Sequence, residues 1–272
     1  MIRSNVLEDS VGDVLYDALS QADNDIIIVN PSRAAISNLV AVIGELSEPT
    51  HVRLFAAQEP LKDLMDDFLI ASAVADLIES GVLSVRTLQD VPNSSLVLSG
   101  GSVVSLVESR DQAAGLATTD ETFVEATYDD YDERWADAPT FTLRTPPRSR
   151  VMATLEEDLG PQVAADFEAI LDSLETARGD GDGLDEVTIS LLVAAKNGEL
   201  LYDISKWGED VGVASKATFS RTKTRLEEHG LVATEKVPID VGRPRLRLLL
   251  GSQRLEDADA DELAGIAQEM LA

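Results

Sequence analysis

Amines, guanidinium groups and hydroxyls gather in one stretch of this 272-residue chain: Ser215, Lys216, Thr218, Ser220, Arg221, Lys223, Thr224 and Arg225, with Arg243 and Arg245 close behind. Side chains of these types donate to phosphate oxygens and to base edges, so the stretch suits a polyanion, and double-stranded promoter DNA in particular. Between Val213 and Arg247 basic residues outnumber acidic ones eight to four, whereas the whole chain sets 22 Lys and Arg against 50 Asp and Glu. One positive stretch kept in a chain of net charge -28 is an electrostatic footprint for nucleic acid.

The elements that carry these groups follow from local pattern. Ser215 is a suitable helix cap, Phe219 and Leu226 recur at helical spacing, and Gly230 can end the turn. Leu231 to Val237 and Leu246 to Leu250 then read as two strands around the turn Asp240-Val-Gly-Arg-Pro-Arg. Upstream, Val187 to Ala195 and Ile204 to Val211 read as helices. Three helices and a hairpin predict a winged helix-turn-helix DNA-binding domain over 184–252, acting as a homodimer with its third helices in successive major grooves. Gly242-Arg-Pro-Arg resembles the Arg-rich segments that enter minor grooves, with Lys236 and Arg247 flanking it as phosphate contacts. The alternative is a metabolite-sensing adaptor whose winged helix docks another protein.

The preceding residues, 1–145, predict an α/β sandwich domain. Asp25-Ile-Ile-Ile-Val-Asn, His51 to Ala56 and Val82 to Leu88 read as strands alternating with helices, and their apolar runs suit a parallel sheet covered on both faces. Ser99-Gly-Gly-Ser is expected to turn a hairpin, and Phe141 to Leu143 to add a last strand. Ligands in such sheets sit beyond the strand ends, which nominates Asn30, Ser32 and Arg33 together with Ser99, Gly100, Gly101 and Ser102 for a phosphorylated metabolite effector. Arg53 and Arg86 are candidate sources of positive charge there. Thr145-Pro-Pro-Arg-Ser-Arg reads as a linker, so 146–183 is assigned to a linker with a connecting helix over 161–176, and 253–272 to a C-terminal helix. The C-terminal helix is either a brace for the DNA-binding domain or half of a dimer contact, and one or both of these helices is expected to make the dimer contact.

Several chemistries find no residues to carry them. The chain has no Cys and only His51 and His229, with no triad pattern around either. Neither histidine sits in the repeated His and Lys motif of phospholipase-D-like hydrolases, whose fold some sugar-responsive regulators share. A calcium loop begun at Asp180 would need a carboxylate where Leu191 stands. No catalytic residue, metal ligand or cofactor is therefore assigned. No apolar run is long enough for a membrane, and a cytoplasmic location is expected. Only six Lys stand among so many acids, a composition like that of proteins working in molar salt.

Asp25-Ile-Ile-Ile-Val-Asn-Pro-Ser, Ser95-Leu-Val-Leu-Ser-Gly-Gly, Ala217-Thr-Phe-Ser-Arg-Thr-Lys-Thr-Arg-Leu and Val241-Gly-Arg-Pro-Arg together resemble the TbsP family of haloarchaeal transcriptional regulators over the full length. The resemblance implies a cytoplasmic DNA-binding regulator of sugar and central carbon metabolism, associated in that family with the sugar-responsive regulator TrmB.

Overall fold

The computed structural model describes residues 6–20, 25–46, 49–90, 92–109, 112–178, 183–238 and 244–272. They divide into two compact units, residues 1–65 with 73–143 and residues 66–72 with 144–272.

In the first unit β1 (Val6–Glu8), β2 (Ile26–Val29), β3 (Val52–Ala56), β4 (Leu83–Thr87), β5 (Ser95–Leu98), β6 (Val103–Glu108) and β7 (Ala113–Thr118) form a sheet in the order β1-β7-β6-β5-β2-β3-β4. Its helices are α1 (Val11–Ser20), α2 (Arg33–Glu45), α3 (Gln58–Met65) and α5 (Glu121–Asp137), with α4 (Phe68–Glu79) starting in the second unit and ending in the first. Only β2, β3 and β4 run parallel, and β5, β6, β7 and β1 extend the sheet antiparallel. The sheet is therefore mixed. The all-apolar β2 lies in its interior, where both faces are covered, which accounts for its unbroken run of isoleucines. β7, Ala-Ala-Gly-Leu-Ala-Thr, has little strand propensity of its own and is held by ladders on both sides. Phe141 to Leu143 is not a strand. Beside β4 the chain here forms an isolated bridge, Arg86 to Thr140, in which Phe141 donates its amide to the Val85 carbonyl at 3.0 Å and Thr87 to the Pro139 carbonyl at 2.9 Å.

The second unit contains α6 (Arg148–Leu159), α7 (Pro161–Ser173), α8 (Glu186–Lys196), α9 (Leu201–Val211), α10 (Lys216–Glu228), the antiparallel pair β8 (Val232–Val237) and β9 (Arg245–Leu250), α11 (Gln253–Glu256) and α12 (Ala260–Leu271). Where a linker and one connecting helix were expected, residues 148–173 form two helices, α6 and α7, of this unit. Pro147 is the cap of α6, a place where a missing amide donor costs nothing, and Val151, Leu155, Val163, Phe167 and Ile170 are buried with Trp207 and Phe219 in one core. Within 253–272, α12 packs on α7, and Leu263, Ala264 and Ala267 are buried. The apolar stripes expected to make a dimer thus cover each other within one chain. Buried Asp67 draws residues 66–72 into this unit, accepting the Ala177 amide at 3.1 Å and the Thr176 hydroxyl.

Gly212 closes α9 in the left-handed conformation (φ 93°), and the Gly208 carbonyl accepts the amides of Gly212, Val213 and Ala214, which sets the turn into α10. Ser215 then caps α10 by accepting the Thr218 amide at 3.2 Å. The two helices meet where Phe219 lies on the bare backbone of Gly208. A Cβ there would stand 2.3 Å from the Phe219 ring. Gly208→Ala is expected to cost about 1–3 kcal/mol of unfolding free energy through that overlap, measured by chemical denaturation. At the start of α8, burial pushes the Glu186 carboxyl up to about 7, and the Asp185 charge adds to the effect. The folded state then holds a proton that the unfolded chain releases at lower pH, so stability falls as pH rises from about 4.5 to about 7. Glu186→Gln is expected to flatten that decline, read from denaturation midpoints across the window.

Candidate nucleic-acid interface

Ala217, Ser220, Arg221, Thr224 and Glu228 form the exposed stripe of α10, while Phe219 and Leu226 point into the core. Arg221 makes no ion pair or hydrogen bond among the described residues. Thr224 donates its hydroxyl to the Ser220 carbonyl at 3.0 Å, leaving an acceptor turned outward. Lys216 is exposed but bound to Glu209 of α9 at 2.7 Å, and their hydrogen bond raises the ammonium and lowers the carboxyl from their ordinary ranges. Ser215 and Thr218 serve as the cap of the helix, with their hydroxyls 3.0 Å apart.

Two residues of the expected contact set face the other way. Lys223 is largely buried against Glu227 at 2.7 Å, and Glu227 also accepts the Thr234 hydroxyl of β8, so this lysine fastens α10 to the hairpin. Arg225 turns back to α8, donating to the buried Thr188 hydroxyl at 3.0 Å, with its Nε buried and unpaired. Helical spacing put all the charges on one side in first approximation. The length of Lys and Arg lets them fold back along the helix to inner partners.

The hairpin stands beside these helices. Leu248 donates its amide to the Glu199 carbonyl at 2.8 Å, and Leu200 bridges Arg247, so the segment before α9 adds a short third edge to β9. Arg245 stacks over the Tyr202 ring, 4.5 Å from its centroid, and pairs with Asp203 at 3.5 Å. Tyr202 was not foreseen as a site residue, since its partner lies more than 40 positions away and no local pattern joins them. Lys236 and Arg247 are exposed. Arg243, the rest of the tip from 239 and the calcium-loop residues 179–182 lie outside the described residues.

The expected metabolite site is not assembled. Ile27 pairs with Leu98 and Val29 with Leu96, so Ser99 to Ser102 turn at the start of β2 while Asn30, Ser32 and Arg33 follow its end, about 13 Å away along a four-residue strand. Each of the three is occupied: Asn30, at φ 47°, donates to the Pro92 carbonyl, Ser32 caps α2 and donates to Glu108, and Arg33 pairs with Asp63. Gly100 and Gly101 border a cleft of about 360 Å³ whose other walls carry Glu121, Glu125 and Asp129, an environment that repels phosphate. Arg86 caps the end of α5 through the Trp135 and Ala136 carbonyls, and Arg53 is buried against Asp132 and Tyr128.

One arrangement had no sequence signal. His51 lies 3.1 Å from Asp25 through Nδ1 and 2.9 Å from the Ser84 hydroxyl through Nε2, an Asp-His-Ser line. It joins the beginnings of three parallel strands, at the opposite edge of the sheet from that used by ligands in α/β folds, and reads as a cross-strand lock.

Fold and interface define a helix-turn-helix protein with a separate α/β domain. The N-terminal domain of the TbsP-like transcriptional regulators matches residues 3–146, and the C-terminal HTH domain of the same regulators matches residues 147–268. The chain belongs to that family. No curated protein matches it. Among solved structures it is similar to TrmBL2, an archaeal chromatin protein whose structure shows a novel mode of DNA binding, at TM-score 0.36 and 13% identity over 52% of this chain and 55% of that one. It is also similar to Nuc of Salmonella typhimurium, a phospholipase D family member (TM-score 0.36, 11% identity, 50% of this chain and 96% of that one), and to NucT from Helicobacter pylori (0.35, 14%, 48% and 91%). The chain thus spans about half the length of TrmBL2. Among the described residues no helix is long and apolar enough to cross a membrane.

The two arginines of α10 are expected to separate cleanly. Arg225→Ala should lower stability by about 1–3 kcal/mol, because it strips a partner from buried Thr188, whereas Arg221→Ala should stay within about 0.5 kcal/mol of the parent in the same denaturation experiment.

Proposed function

We propose that the chain is a sequence-specific, dimeric transcription factor whose second unit is a winged helix-turn-helix, and that it controls genes of sugar and central carbon metabolism in a halophilic archaeal cell. The observation that carries the DNA reading is the exposed Ser220, Arg221 and Thr224 stripe on a capped helix whose other face is locked into the core. These groups reach base edges in a major groove, with Arg221 suited to bidentate recognition of guanine. The hairpin, carrying Lys236, Arg245 and Arg247, falls on the flanking backbone. The metabolic targets rest on the family resemblance. The saline habitat rests on the excess of 50 acidic over 22 basic residues.

Ion pairing within the domain shapes the energetics. Lys216, Lys223 and Arg245 each have a carboxylate partner, while Arg221, Lys236 and Arg247 have no salt bridge among the described residues. A cation already paired must give up its carboxylate before it neutralises a phosphate, so few counterions are displaced on binding. Affinity then depends on base contacts that persist in concentrated salt.

Purified full-length protein titrated with a promoter fragment is expected to bind as a dimer with a log-log salt slope of about -5, against about -14 if all eight basic residues of the stretch in both copies met phosphates. Arg221→Ala should weaken that binding about tenfold to a hundredfold. A folded protein with no affinity for any promoter fragment would favour the protein-docking alternative.

A further inference from the structure

The turn between α9 and α10 forms one wall of a cavity of about 200 Å³. Gly212 and Val213 supply that wall, the start of α8 supplies Glu186, and Phe68, Pro146 and Arg144 line the rest, all of them from the second unit. Phe68 and Pro146 are buried, Val213 is half-buried, and the exposed Arg144 marks the opening. Glu186 stands out in this lining. A glutamate in the first turn of a helix ordinarily reaches water, whereas this carboxyl is desolvated among apolar groups, which pushes it up to about 7. The one charge that acts on it, Asp185, has the same sign. Neither Glu186 nor Arg144 has an ion pair among the described residues, so the cavity holds two unmatched groups of opposite sign on apolar walls. A displaced titratable group in a cleft with few, convergent polar groups is the mark of a small-molecule site.

We propose that this cavity binds a free α-amino acid with an apolar side chain, its ammonium on Glu186, its carboxylate on Arg144 and its side chain against Phe68, Pro146 and Val213. The lining selects that class. An ammonium supplies the opposite charge that favours the ionised Glu186 carboxyl in its desolvated place. Arg144 offers a planar fork that matches a carboxylate. A phosphate or a dicarboxylate would meet Glu186 as a like charge, and a polyamine or a metal cation would meet Arg144 as one. A zwitterion satisfies both. The volume sets the size, since about 200 Å³ lies below the roughly 300–1,000 Å³ of drug-sized sites and suits one small metabolite. The position gives the site a consequence. Gly212 is in the left-handed conformation and Val213 donates its amide to the Gly208 carbonyl at 2.8 Å, so a ligand pressed on these two residues acts on the turn that aims α10. Ser215, the cap of α10, follows directly. Occupancy then shifts promoter affinity by as much as the ligand prefers one arrangement of the turn. That consequence rests on the DNA reading above, whereas the site itself does not.

The test is isothermal titration calorimetry of the full chain without DNA, with L-leucine, L-isoleucine and L-valine as probes. At least one of them is expected to bind at a single site per chain. Its N-acetyl derivative lacks the ammonium and its amide lacks the carboxylate, so each should bind about tenfold to a hundredfold more weakly. Glu186→Gln and Arg144→Gln should weaken the parent amino acid by a similar factor. Arg144 is exposed, so its variant is expected to keep the wild-type melt, and Arg254→Gln, at an exposed arginine paired with Glu269, should bind as wild type does. No heat with any of the probes overturns the proposal, as does binding that both variants or both derivatives retain. Promoter affinity is then compared with and without the saturating amino acid. Binding that leaves this affinity unchanged overturns the regulatory consequence and keeps the site, whereas a chain that binds the amino acid but no DNA removes the DNA reading and leaves the site standing.

Discussion

The exposed stripe of α10 depends on one close approach, the Phe219 ring against the backbone of Gly208. Phe219 is fully buried, and the absence of a side chain at 208 lets α10 lie directly on α9. The same glycine carbonyl gathers the three amides of the turn, so the crossing of the helices and the path between them are fixed at one residue. Trp207 beside it donates its indole N–H to Thr154 of α6 at 3.0 Å, tying the pair to the supporting helices. With its inner face committed in this way, α10 has one side left for solvent, and that side holds Ser220, Arg221 and Thr224.

Charge is organised around the same geometry. Glu209, Glu227 and Asp203 each take a basic residue from the candidate interface, which steadies the domain in an otherwise strongly acidic chain and lowers the number of cations offered to phosphate. Such pairs are individually weak when exposed, and their importance lies in which cations they leave over. Arg221 is left over at the middle of the exposed stripe of α10.

The second unit was largely legible in sequence because its signals are local. Ser215 as cap, Phe219 and Leu226 at helical spacing, the apolar runs 187–195 and 204–211, and two strands bracketing a turn with Gly242 and Pro244 gave three helices and a hairpin without tertiary information. The same locality misled where a long side chain reaches across elements: nothing near Arg225 announces Thr188 as a partner, whereas Lys223 and Glu227 stand four residues apart on α10. α6 went unread because its entry, Pro146-Pro147, looks like a linker until the burial of Val151 and Leu155 shows a helix N-terminus packed in the core. In the first unit, β7 was invisible for want of propensity. The proposed metabolite site failed on register, since an antiparallel β5 sends the Ser99 to Ser102 turn to the far end of β2 from Asn30.

The most direct test of the central claim is sequencing of the DNA recovered with the tagged protein from cells at native salt, compared with Arg221→Ala. The account predicts enrichment at a two-fold symmetric motif that collapses in the variant while its fold and abundance are unchanged. Equal enrichment by both proteins at the same motif would contradict the assignment of α10 as the reader of DNA.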